Sequence, residues 1–106
     1  MVPAEIPNDP ELLKTILAPL LDDFSYWFER SLSALKKEQL SFMSPQEQET
    51  FMERIQQAQA EVNATKSLFN ATGGHAGIEM KVLMPWHQLV RECWGVAQKN
   101  RQSKTS

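Results

Sequence analysis

The residues best equipped for chemistry in this chain lie near its C-terminal end. The segment "MPWHQLVRECW", residues 84–94, holds two tryptophans, the only cysteine and one of two histidines within eleven positions. His75, His87, Glu92 and Cys93 are all of metal-ligating type. A closed zinc site needs about four ligands, and two ligands on one helix must stand three or four residues apart to share a face. His87 and Cys93 are six apart and point to different faces, so the sequence predicts no metal and no cofactor.

Cysteine catalysis needs a thiolate of lowered pKa beside a base, usually with some exposure. Cys93 lies mid-stripe between Leu89 and Ala97, where a small buried hydrophobe is expected instead. Asp22 and Asp23 are adjacent, and neighbouring helical side chains diverge by about 100°, too far to share one reacting atom. The run "GGHAG" is glycine-rich like a phosphate loop, but it follows a helical pattern and has no lysine after it. It reads as a helix stop and a flexible turn. Phe24, Tyr26, Trp27 and Phe28 could line a pocket for a flat ligand, although aromatics at helical spacing mostly build cores. Tyr26 alone falls on the polar side. No group of residues converges for catalysis, so no enzyme is expected.

The elements that position these residues are helices. The chain has 106 residues, 42% hydrophobic and 23% charged, enough for one globular domain with a modest core. Four glycines and few alternating β-branched residues leave little material for a sheet. A formal charge of −2 gives no global basic field, which argues against nucleic acid as a partner. One cysteine cannot close an internal disulfide, and no run resembles a signal peptide or spanning helix. The expected location is the cytoplasm. There the Asn-x-Thr triplets at Asn63 and Asn70 have no glycosylation role.

Asn8-Asp9-Pro10-Glu11 is a helix start, with a capping aspartate and a proline at the first helical position. From there Leu12, Leu13, Ile16, Leu17, Leu20, Leu21, Phe24, Trp27, Phe28, Leu32 and Leu35 fill an arc of roughly 200°. Pro19 should kink this helix near Thr15 without breaking it. Ser44-Pro45-Gln46-Glu47 is a capping box opening a second helix. Its apolar residues Phe51, Ile55, Ala58, Val62, Thr65 and Phe69 form a seam only about 80° wide. The helix should end at Gly73 and Gly74.

The expected fold is therefore all-α. A long antiparallel hairpin, about 10–38 and about 45–71, carries a shorter third helix, about 85–100, in a three-helix bundle. Residues 1–8 and the basic tail 101–106 are expected to be disordered, the tail being a possible contact for an anionic surface. In the third helix Trp86, Leu89, Val90, Cys93, Trp94 and Ala97 form a core-facing stripe. At about 24 Å it would cover only half of the hairpin. Leu32, Leu35, Phe42, Phe51 and Met52 would then remain near the less protected end, as a surface for a protein partner or for self-association.

The segments "PNDPELLKTILAPLLDDFSYWF" and "LMPWHQLVRECW" resemble the two ends of a small family of uncharacterised cyanobacterial proteins of about this length. The similarity runs from about Ile6 to Ala97, with the middle helix alike in pattern. The resemblance implies lineage and helical character, and a role connected with the photosynthetic cell. The function expected from the residues is that of a non-catalytic adaptor, assembly or regulatory protein offering apolar helix surface to another protein. The alternative is a carrier holding a flat cofactor or pigment between helices one and three, with Trp27, Trp86, Trp94 and His87 lining the site.

Overall fold

The computed structural model describes residues 10–73 and 80–105, and the side chains of 15–73 and 81–103. Three helices make up the described chain: α1 (Pro10–Lys37), α2 (Pro45–Ala71) and α3 (Met80–Thr105). The chain is an all-α three-helix bundle.

Helix α1 begins at Pro10 and runs through Pro19 as one element of 28 residues. Leu17, Leu21, Phe24, Phe28, Leu32 and Leu35 recur at spacings of three and four and are buried together. Burying each such side chain stabilises the fold by about 1.5–3 kcal/mol. This strip keeps one phase on both sides of Pro19, whose ring faces solvent. Lys36 and Lys37 in the last turn complement the partial negative charge of the helix end.

The capping box at Ser44 is formed on both sides. The Glu47 amide donates to the Ser44 hydroxyl at 3.0 Å, and the Ser44 amide donates to the Glu47 carboxylate at 2.8 Å. The narrow seam of α2 is buried as Phe51, Ile55, Ala58, Val62 and Phe69, with Thr65 half-buried. At the far end Gly73 takes a positive φ of 66°, which residues with a Cβ disfavour, and its amide donates to the Asn70 carbonyl. Gly74, His75 and the rest of the glycine-rich turn, like residues 1–8, lie outside the described residues.

Helix α3 differs from its sequence-based expectation at both ends. It starts at Met80, five residues before Pro85, and it continues to Thr105, through most of the tail expected to be disordered. The early start follows from Leu83, which is buried and extends the strip of Trp86, Val90 and Cys93 by one turn. Pro85 forgoes one hydrogen bond near the helix start, and burial of Leu83 and Trp86 offsets that loss. The late end follows from Gln98 to Thr105, which contains neither glycine nor proline and places cations at the helix C-terminus. The Ser103 and Ser41 hydroxyls share a hydrogen bond that ties this end to the α1–α2 link.

Pairings between helices fix the topology. Asp22 meets Lys66 and Ser25 meets Asn63, so α2 runs antiparallel to α1. Phe24 meets Trp86, Glu38 meets Asn100 and Ser41 meets Ser103. All three pairs are 62 residues apart, so α3 lies parallel to α1 and in constant register. α1 packs most extensively on α2 and next on α3, while the backbones of α2 and α3 hardly approach.

At 26 residues, or about 39 Å, and in this register, α3 runs beside the hairpin from about Ala18 of α1 to the α1–α2 link. The expectation of a bare end is thereby overturned. Leu32, Leu35 and Phe51 are core residues, and Phe42 and Met52 are half-buried against that core. The register of α3 on α1, with Phe24 beside Trp86 and Ser41 beside Ser103, brings Val96 and Lys99 to the end that was expected to be uncovered.

Candidate functional site

Among the described residues, those singled out for chemistry do not converge. Cys93 is buried with its thiol free. Burial pushes that thiol up, more than a hydrogen bond with the Ser31 side chain pulls it down, so the neutral form prevails. Glu92 turns away to α2, where Arg54 grips it with two hydrogen bonds of 3.0 and 2.7 Å. That grip holds the Glu92 carboxyl below its ordinary range. His87 is exposed. Among the described residues no three His, Cys, Asp or Glu side chains gather as a metal site. Asp22 is spent on Lys66 at 2.9 Å, and Asp23 faces solvent.

The three tryptophans are also divided. Trp86 is buried, stands edge-on to Phe24 at 5.9 Å, and donates its indole N–H to Glu61 of α2 at 3.1 Å. It closes the core on the α2 side of α3. Trp27 and Trp94 meet on the opposite side, where α1 and α3 adjoin away from α2. Their ring centroids are 5.6 Å apart at an interplanar angle of 82°.

This second side is the first candidate face. Trp94 is 44% exposed and Tyr26 53% exposed. Tyr26 stands edge-on to Trp27 at 5.2 Å. The Arg30 guanidinium lies 5.9 Å from the Trp27 ring centroid and donates to the Tyr26 hydroxyl at 2.9 Å. Helical spacing continues the strip through Leu20 to Ile16, which is 46% exposed. Each ring is fixed by a neighbour, so an incoming surface meets side chains that have already lost much of their rotamer freedom. Tryptophan, tyrosine and arginine are the types that dominate binding energy in protein interfaces. Tyr26 is legible in the sequence as an exposed aromatic. Trp94 is not, because its spacing assigns it to the core stripe.

The second candidate face is a trough between α2 and α3. One part, a cavity of about 760 Å³, is lined by Phe42, Phe51, Arg54, Glu92, Val96 and Lys99 among others. Another, of about 440 Å³, continues past Arg54 to Glu61, Trp86 and Leu89. No sequence pattern announces it, because it exists only where two helices splay apart.

A family model described as a protein of unknown function, DUF2605, matches residues 7–102. The chain belongs to that family. No curated protein and no solved structure matches it. The matched span takes in all of α2, all but the last turn of α3, and both candidate faces. No helix among the described residues is long and apolar enough to cross a membrane.

Proposed function

We propose that this chain is a non-catalytic adaptor, assembly or regulatory protein that binds another protein through the Tyr26, Trp27 and Trp94 face of α1 and α3. The observation that supports this reading most directly is Trp94, a large ring 44% exposed yet held edge-on by Trp27. A rigid aromatic with a nearby guanidinium contributes binding energy when a partner excludes water from it. The burial of Cys93 and the engagement of Glu92 by Arg54 support a non-catalytic role. We place the chain in the cytoplasm of a cyanobacterial cell, on the resemblance of its two end segments and on a lone cysteine that closes no internal disulfide.

The test is co-purification of the tagged chain from cells that make it, at low and high salt, with Trp94→Ala in parallel. A stoichiometric protein retained at high salt and lost with Trp94→Ala is the expected result. Retention of the same protein by the variant refutes the assignment of the face. Sedimentation of the purified chain checks the competing occupant, a second copy on the same rings.

A further inference from the structure

We propose that the trough between α2 and α3 is a second docking site, and that it receives an amphipathic helix of another protein whose apolar side carries an acidic residue for Lys99. The inference goes beyond the aromatic face, which lies on the other side of α3.

Three observations on different residues carry it. Its two cavities lie in line along α2 from Gln46 to Glu61, sixteen residues or about 22 Å of helix, with the Arg54–Glu92 pair crossing from α2 to α3 where they adjoin. That shape suits an elongated occupant. Its floor is apolar at the wide end, where Phe42, Phe51 and Val96 meet.

The charges are unequally spent. Four charged residues line the wide end: Glu47, Arg54, Glu92 and Lys99. Glu47 is committed to the Ser44 amide, and Arg54 and Glu92 to each other. The Lys99 ammonium sits 4.8 Å from the Phe42 ring centroid and makes no ion pair among the described residues. A carboxylate delivered over Phe42 completes the set.

Gly95 lines the same end, in the middle of α3. A glycine there weakens the helix relative to alanine. No internal contact explains it, since a Cβ built at Gly95 meets nothing within 4 Å. The missing side chain leaves room for the backbone of a helix approaching from outside.

The experiment places a photo-crosslinking benzoylphenylalanine at Thr50, an exposed residue on the trough wall, in the full chain expressed in its own cells. The crosslinked peptide is then sequenced. The expected adduct is one segment of a different protein, with apolar residues at helical spacing and an aspartate or glutamate among them. Its yield falls at least about tenfold with Lys99→Glu and with Gly95→Leu, while Gly95→Leu keeps its thermal midpoint or exceeds it and Lys99→Glu still unfolds cooperatively. Exchange of the partner's acid for lysine restores the Lys99→Glu adduct. Trp94→Ala leaves the adduct unchanged, which separates this site from the aromatic face. The proposal is overturned by an adduct to this chain itself, by a non-helical or uncharged segment, by yields indifferent to Lys99 and Gly95, or by no adduct.

Discussion

Gln48 on α2 accepts the backbone amide of Leu40 at 2.8 Å, and through that contact one side chain organises the whole turn between the first two helices. Its amide nitrogen donates to the Leu35 carbonyl at 2.9 Å and to the Glu38 carbonyl at 2.8 Å. Gln48 is 4% exposed, the one buried polar residue among the described residues, in a core of apolar side chains. The end of α1, whose last carbonyls lack helical partners, is thus capped from the neighbouring helix. Leu40 is consequently held in the core although it belongs to the link.

Gln48→Ala is expected to lower the free energy of unfolding by about 2–4 kcal/mol, because it strands buried backbone groups that water cannot reach. Gln48→Glu keeps the shape but cannot donate to two carbonyls when ionised, so it should be nearly as damaging at neutral pH and milder in acid. Urea denaturation of both variants at two pH values checks this. Equal stability of all three chains would contradict the assigned network.

The two α3 tryptophans should part company on truncation. Trp86→Ala removes a buried ring and leaves a cavity, costing about 3–5 kcal/mol. Trp94→Ala removes an edge-to-face contact at a half-open site, costing only about 1 kcal/mol. Thermal unfolding followed by circular dichroism gives both numbers. A larger loss at Trp94 would place it in the core and remove the basis for the aromatic face.

Cys93 should resist thiol reagents in the folded protein. Its thiol is buried and its pKa is raised by that burial, so modification must wait for opening of the bundle. Colorimetric thiol titration at neutral pH is expected to run at least about a thousandfold slower in buffer than in denaturant. Comparable rates would show a thiol open to solvent.

Stability should fall in acid through two identified carboxyls. Glu47 is held low by its hydrogen bonds with Ser44, and Glu92 by its hydrogen bonds with Arg54. A carboxyl whose folded pKa lies below its unfolded one contributes stability above the unfolded pKa, and that contribution is lost as pH falls through the folded pKa. The double variant Glu47→Gln, Glu92→Gln keeps hydrogen-bonding capacity without the charge. It is expected to be less stable than the parent at neutral pH and to converge with it below the carboxylate range, as read by denaturation midpoints across pH. Both carboxyls are largely in water, so the difference is small. A gap that widens in acid would reverse the sign and refute the pairing.

Most of the framework is legible in local sequence. Pro10 and the Ser44 to Glu47 box mark helix starts because capping depends on residues within one turn. Gly73 marks an end because a left-handed residue is a local requirement. The 3.6-residue recurrence of Leu17, Leu21, Phe24 and Phe28 names the buried side of α1 without reference to anything it packs on.

The limits of α3 and the candidate faces were decided by tertiary structure. Pro85 is a local start signal, yet Leu83 is buried two residues before it, and the value of that burial depends on the helices it packs against. Lying parallel to α1 and reaching the α1–α2 link, α3 leaves Leu32, Leu35 and Phe51 inside the core, so the expected apolar surface disappears. Trp94 and Trp86 have the same residue type and fit the same stripe, but they diverge on opposite flanks of α3, toward Trp27 and toward Glu61. Periodicity assigns a residue to an arc of a helix. Only the angle between helices determines which edge of that arc is covered and which is left to solvent.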